Sequence, residues 1–85
     1  MPEISRFLGI VIAMFYKDQE PAHFHAYYGE FEITVGIDDG MVKGNFPRRA
    51  LNLVLEWYQM HRDDLRQNWE LARGRKPLRP IKPLE

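Results

Sequence analysis

Hydrophobic and polar positions divide the chain into a β-rich half and a helical half. Residues 9–16, GIVIAMFY, are apolar without interruption, which is typical of a central strand covered on both faces. Two further runs, residues 23–28 and 31–36, flank Gly29 and Glu30. A glycine at the first position of a two-residue loop predicts a type II′ hairpin. A short strand is also predicted around residues 41–43.

The predicted hairpin turn fixes which residues face each other, from Tyr28 opposite Phe31 to His23 opposite Gly36. Side chains alternate between the two faces of a strand, so each face has its own composition. One is a core face, formed by Phe24, Ala26, Tyr28, Phe31, Ile33 and Val35, and the other is polar, formed by His23, His25, Tyr27, Glu32 and Thr34. The sequence therefore places both histidines on the polar face and predicts room for a ligand above Gly36.

Residues 45–74 have the pattern of an amphipathic helical region. Asn45 is suited to cap its start, Pro47 to its first turn and Gly74 to its end. The apolar positions form one stripe at helical spacing, namely Leu51, Val54, Leu55, Tyr58, Leu65, Trp69 and Ala72. Arg62 lies near the middle of that stripe, so the pattern favours two helices, 47–60 and 62–73, over one long helix.

Residues 75–85 contain a proline at every third position and should run extended. Leu78, Ile81 and Leu84 are its apolar anchors. The sequence thus predicts one α+β domain over residues 1–85, with a β-rich half (1–44), a helical part (45–74) and an extended basic tail (75–85). Its architecture is an antiparallel meander of three to four strands, with one or two C-terminal helices packed on one face.

The composition of the chain excludes several kinds of site and location. The chain has no cysteine, which excludes disulfides and thiolate metal sites. The longest apolar run is too short to cross a membrane, and no secretory leader opens the sequence. A cytoplasmic protein without a membrane partner is therefore expected.

The net charge of zero hides an uneven distribution. Residues 1–44 carry three basic and seven acidic side chains, whereas residues 45–85 carry nine basic and five acidic ones. Five of the basic residues lie between Arg73 and Lys82, where there is no acid. Such a segment binds phosphate or an acidic partner in some proteins, and in others it is a solvated tail.

Acid–base catalysis is one interpretation of the polar face, with His23, His25, Tyr27 and Glu32 as candidate catalytic residues. Histidine exchanges protons near neutral pH. In a metal-independent ribonuclease, one group takes the proton of the ribose 2′-hydroxyl and another protonates the leaving oxygen. The pair of histidines suits these two roles.

Cleavage of RNA also requires cations that stabilise charge on the phosphate. The sequence offers Arg48 and Arg49 in the first helical turn, together with Arg6, as candidate phosphate-binding residues. RNA is therefore a candidate ligand, although the zero net charge and the lack of a known nucleic-acid motif do not demand it.

Metal binding is a second interpretation, because histidines at positions i and i+2 of a strand project from one face and can bind zinc or nickel. A third ligand would have to come from Glu32 or from His61, the remaining histidine. Two ligands alone do not make a site, so the sequence predicts no metal and no cofactor. A third interpretation is an ordinary solvated face or a protein-binding patch.

A second apolar strip on the helical part is a candidate partner-binding surface, together with the basic tail. The residues concerned are Leu53, Trp57, Met60, Arg75, Lys76 and Arg79. A small protein partner or a second copy of the chain, giving a homodimer, would suit this surface. Deletion of residues 75–85 is expected to weaken partner binding more than folding.

Three stretches carry a resemblance to a known family: MPEISRFLGI, PAHFHAYYGE and RALNLVLEW followed by HRDDL and NWELA. They resemble, over nearly the full length, the bacterial family "domain of unknown function 4160". The resemblance implies a small two-gene module with a partner of the family "domain of unknown function 2442", and a toxin-like role for some members. It supplies no catalytic residues.

Two functions follow as expectations. The first is the toxin-like member of a toxin–antitoxin-type module, with metal-independent ribonuclease activity. The alternative is a non-enzymatic protein-binding module, or a weak histidine-based metal-binding protein. The sequence does not decide whether the protein is an enzyme.

Overall fold

The computed structural model describes residues 2–84 as a five-stranded sheet followed by two helices. Met1 and Glu85, the ends of the predicted domain and tail, lie outside the described residues. The strands are β1 Glu3–Phe7, β2 Ile10–Ala13, β3 His23–Tyr28, β4 Phe31–Gly36 and β5 Val42–Asn45, and the helices are α1 Arg48–Met60 and α2 Arg62–Arg73. The predicted α+β class is confirmed. Within residues 2–84, neither helix has the length and hydrophobicity that a membrane crossing needs.

The sheet is an antiparallel meander in the order β1-β2-β3-β4-β5. It has more strands than predicted, because residues 3–7 pair with the apolar run at residues 10–13 to form a first hairpin. The register of the second hairpin is confirmed at all six pairs, from His23–Gly36 to Tyr28–Phe31. Gly29 has φ +57° and Glu30 is not left-handed, which is the backbone pattern of the predicted type II′ turn.

The core face of β3 and β4 is buried along most of its length, with Phe24, Ala26, Ile33 and Val35 each at most 1% exposed. The prediction fails at the hairpin tip. There Tyr28 and Phe31 are 38% and 45% exposed. Tyr28 lies beside the ring of Phe46, with centroids 6.1 Å apart, and is not part of the buried core.

The break between the helices lies at His61, as the charge in the apolar stripe predicts. Arg62 turns away from the core, and its guanidinium donates a hydrogen bond of 2.8 Å to the carbonyl oxygen of Asp38. Gly74 ends α2 as predicted. The predicted capping role of Asn45 is wrong, because Asn45 belongs to β5 and Pro47 occupies the N-cap position of α1.

Trp57 belongs to the core and not to an exposed strip. Its side chain is fully buried and packs against the rings of Phe7 and Phe24. Its indole Nε1 donates a hydrogen bond of 2.9 Å to the carbonyl oxygen of Lys82. The partner-binding strip expected from the sequence therefore reduces to the half-buried Leu53 and to Met60, which is 63% exposed.

The basic tail completes the core. Ile81 and Leu84 are 5% and 9% exposed, and the Ile81 amide donates a hydrogen bond of 2.8 Å to the carbonyl oxygen of Ile4. The charged side chains of Arg75, Lys76 and Arg79 remain exposed. The burial of these two apolar residues against this chain argues against the expectation that deletion of residues 75–85 weakens partner binding more than folding, and that expectation stays a prediction.

A buried asparagine fastens the tail to α2, and its removal should be costly. Asn68 is 1% exposed; its Nδ2 donates to the Arg79 carbonyl oxygen at 2.8 Å, and its Oδ1 accepts from the Arg79 amide at 2.9 Å. We expect Asn68→Ala to lower the free energy of unfolding by about 1–3 kcal/mol, because the amide and the carbonyl oxygen of Arg79 both lose a part-buried hydrogen bond. The exposed neighbour Gln67 supplies the control: Gln67→Ala should stay within about 0.5 kcal/mol in urea denaturation. Equal losses in both variants would contradict this role.

Candidate functional site

Three side chains converge at the start of β3. Asp18 comes from the loop of residues 14–22, and His23 and His25 come from the strand that follows it. Asp18 Oδ2 lies 3.0 Å from His23 Nε2 and 3.0 Å from His25 Nε2. All three side chains are largely buried, with 27%, 19% and 15% of their surfaces exposed. The strand alternation aims both imidazoles at one side, and the loop brings the carboxylate to them.

The backbone orients the first ring. His23 Nδ1 lies 2.8 Å from the carbonyl oxygen of Pro21. A carbonyl oxygen only accepts hydrogen bonds, so Nδ1 must carry the proton of this bond. His23 Nε2 is then the nitrogen that faces Asp18. The ring of Trp69 packs beside this imidazole, with centroids 5.4 Å apart.

A carboxylate and two rings orient the second imidazole. His25 Nδ1 lies 3.2 Å from Glu32 Oε2, so Nε2 is again the nitrogen left for Asp18. Phe15 meets the imidazole edge-on at 4.7 Å between centroids, and Tyr27 stacks beside it at 6.3 Å with an interplanar angle of 9°. These contacts hold His25 in one rotamer.

The hydrogen-bond pattern requires positive charge between the three side chains. A neutral imidazole carries one proton. In His23 that proton is at Nδ1, on the Pro21 carbonyl oxygen, so the Nε2 lone pair faces the Asp18 carboxylate at 3.0 Å. In His25 a single proton serves either Glu32 or Asp18, so a lone pair faces the other carboxylate. Either two additional protons or one divalent cation resolves this repulsion, and both options add the same charge.

The electrostatics of the neighbouring groups agree with a charged centre. Burial alone would raise the pKa of Asp18, but the hydrogen bond from His25 and the charges of both histidines outweigh it and hold this pKa below its usual value. Burial, followed by the charge of Glu32 and a hydrogen bond to it, raises the pKa of the Tyr27 hydroxyl. Asp18 is therefore ionised and Tyr27 neutral near pH 7.

The distances fit a metal ion. Bonds of about 2.0–2.2 Å at angles near 90–110° place neighbouring ligand atoms about 3.0–3.5 Å apart. The two contacts of Asp18 Oδ2, both 3.0 Å, fall in this range, and all three ligand atoms lie within 4.8 Å of one another. Two imidazoles and a carboxylate are a donor set that zinc and other divalent transition metals accept. The hydrogen bonds at both Nδ1 atoms are also those that metal-binding histidines usually make.

A cavity of about 490 Å³ opens beside this centre. It is lined by Lys17, Asp18, Gln19, Glu20, Pro21, His23, Thr34, Gly36, Asp39, Met41 and Lys43. The space directly above Gly36 is not free for a ligand as predicted, because a Cβ there would overlap the Asp39 carboxylate. The open volume lies between the 17–21 loop and the end of the β4–β5 hairpin.

The structure brings together all four residues that the sequence proposed as catalytic, since His23 and His25 share Asp18, and Glu32 and Tyr27 contact His25. It does not bring the proposed phosphate-binding arginines to them. Arg49 lines a separate cavity of about 400 Å³ with Leu8, Tyr28, Pro47, Ala50 and Leu53. Arg48 is exposed at the start of α1. Arg6 is bound by the carboxylate of Glu3, at 2.8 Å.

Two features of the centre differ from the sequence expectations. His61, considered as a third ligand, packs on Trp57 instead and is not part of the cluster. The third group is Asp18, which was not among the residues proposed from the sequence, and Glu32 supports a histidine without joining the cluster. The sequence signal that could have identified this third group was a carboxylate a few residues before a strand with the pattern His-x-His.

Comparison with known proteins finds a family match over most of the chain. A family model described as "Domain of unknown function (DUF4160)" matches residues 9–70, a range that contains Asp18, both histidines and most of both helices. Most of the opening stretch, residues 1–8, and the tail lie outside the matched range. No curated protein and no solved structure matches the chain. Since the match covers more than half of its length, the chain belongs to the family of domain of unknown function DUF4160.

Proposed function

We propose that this protein binds a divalent transition metal ion through Asp18, His23 and His25. One observation carries the proposal: both Nε2 atoms face the same carboxylate oxygen at 3.0 Å, while both Nδ1 atoms are already engaged by acceptors. A divalent ion supplies the charge that this arrangement lacks, and it leaves the Nδ1 hydrogen bonds intact.

The chemistry that suits such a site is hydrolysis. Three protein ligands leave at least one coordination position free for water, and a bound divalent ion lowers the pKa of that water towards neutrality. Asp18 and His23 line the cavity, so a free position can face a substrate there. Glu32 and Pro21 fix the two rings, and Phe15 limits access of solvent to His25.

Zinc binding tests the proposal directly. We expect the protein, stripped of metal by a chelator and dialysed, to bind one zinc ion per chain in isothermal titration calorimetry. Proton release should accompany binding, because zinc replaces protons at Nε2. Absence of a saturable site at micromolar zinc would overturn the proposal.

A second candidate function uses the same residues with protons in place of the metal. A doubly protonated His25, held between Asp18 and Glu32, has the form of a general acid, as metal-independent cleavage of RNA requires. This is the ribonuclease that the toxin-like context implies. RNA cleavage that persists in excess chelator would support it, and cleavage that requires zinc would support the metal centre.

The place of the protein in a two-gene module is a separate proposal that rests on the resemblance alone. We propose a toxin-like role beside a small protein partner encoded nearby. Expression with and without the neighbouring gene product tests it. Growth arrest that the neighbour relieves supports the toxin, and co-purification without growth arrest supports a binding module.

A further inference from the structure

The charged groups around the cavity are not equivalent, because its acids have partners and two of its bases do not. Glu20 forms an ion pair with Arg73 at 2.9 Å and accepts a hydrogen bond from Trp69 Nε1 at 3.3 Å. Asp39 Oδ1 accepts one from the Met41 amide at 3.0 Å. Asp18 is engaged by the two histidines. All three acids are thus engaged within the chain, Glu20 by a cation and Asp39 by an amide.

Lys17 and Lys43 line the same cavity, and the ammonium group of neither forms a hydrogen bond or ion pair with any part of the chain that the structure describes. Lys43 lies opposite Thr34 in the β4–β5 pairing, and Thr34 lies opposite His25 in the β3–β4 pairing. The Lys43 Cα is thus two strands, about 9–10 Å, from that of His25, on the same face of the sheet.

The second lysine approaches from the loop. Lys17 directly precedes Asp18 and has φ +64°, a left-handed backbone conformation that residues other than glycine seldom adopt. The two lysines therefore reach the cavity from different elements, Lys17 from the loop before β3 and Lys43 from β5.

We propose that the cavity binds the phosphate group of a phosphate ester, with Lys17 and Lys43 as its ligands beside the metal. The inference rests on the proposed metal site, which adds two positive charges to those of the lysines. Unpaired ammonium groups are common phosphate ligands, acting as point charges. A cavity of about 490 Å³ is larger than a phosphate ion and has room for part of the esterified group.

Titration with inorganic phosphate, followed by backbone amide shifts in NMR, tests the inference in both zinc-loaded and zinc-free protein. We expect Lys17→Gln combined with Lys43→Gln to weaken phosphate binding at least tenfold without any loss of zinc affinity. The matched control is Arg48→Gln combined with Arg49→Gln, which removes the same charge outside this cavity and should leave phosphate binding unchanged. Acetate, titrated in the same way, should bind more weakly than phosphate.

The outcomes separate this inference from the proposed function. Zinc binding without phosphate binding, or equal weakening in both double variants, overturns the phosphate site and leaves the metal site standing. Failure to bind zinc overturns the proposed function. If zinc does not bind, phosphate binding to the zinc-free protein that is lost in the lysine double variant still supports the role of Lys17 and Lys43. If the zinc-free protein does not bind phosphate either, both the metal site and the phosphate site are overturned.

Discussion

A chain that ends at Gly74 is expected to be largely unfolded at 37 °C. Truncation removes Ile81 and Leu84 from the core, together with the hydrogen bonds that the tail makes to Trp57 and Ile4. Substitution of one such buried side chain by alanine lowers the free energy of unfolding by about 2–5 kcal/mol. The whole free energy of unfolding of a small domain is about 5–15 kcal/mol, so the combined loss is comparable to the total. Circular dichroism during thermal unfolding measures the effect.

Single substitutions keep this prediction testable even when the truncated chain aggregates. Ile81→Ala should lower the free energy of unfolding by about 2–5 kcal/mol. Arg75→Ala and Lys76→Ala change exposed side chains of the same segment and should stay within about 0.5 kcal/mol. A truncated protein with a parent-like melting temperature would show that the tail is dispensable for folding.

The second large effect is expected at the metal ligands. Asp18→Asn and His25→Gln should each weaken zinc binding by more than about 100-fold, because removal of a residue that only supports a ligand already costs about 10–100-fold. Glu32 only supports the ligand His25, so Glu32→Gln should weaken zinc binding by about 10–100-fold. Isothermal titration calorimetry with zinc measures all three variants.

Two substitutions of the same chemical type serve as controls. Asp39→Asn neutralises another carboxylate of the cavity, and His61→Gln removes a histidine that packs on Trp57 outside the cluster. Both should bind zinc like the parent protein. If they lose as much affinity as Asp18→Asn and His25→Gln, the zinc is not held by the proposed cluster.

Alternation and turn chemistry were enough to predict the central hairpin. The Gly29-Glu30 loop set the register, and a register error of one residue would have moved Phe24 and His25 to the wrong faces. The helix break was predictable for a similar local reason, since Arg62 interrupts an otherwise apolar stripe. Both features depend on residues that are close to one another in the sequence, so local sequence patterns predict them.

Features that depend on distant contacts were not predictable in the same way. Trp57 lies off the main helical stripe, and it is buried through contacts with the distant Phe7, Phe24 and the tail, where the Lys82 carbonyl oxygen accepts its hydrogen bond. Asp18 belongs to an irregular loop, whose path over the sheet face has no periodic signal. The pair of histidines was recognisable, but its third partner required the structure.

The measurement that tests the metal centre most directly is the protonation state of the histidine ring nitrogens, read from long-range ¹H–¹⁵N NMR spectra as zinc is added. At one zinc ion per chain, His23 and His25 should both coordinate through Nε2 and keep a proton on Nδ1, while His61 should not change. Unchanged ring signals of His23 and His25 at that ratio, or coordination through Nδ1, would contradict the account.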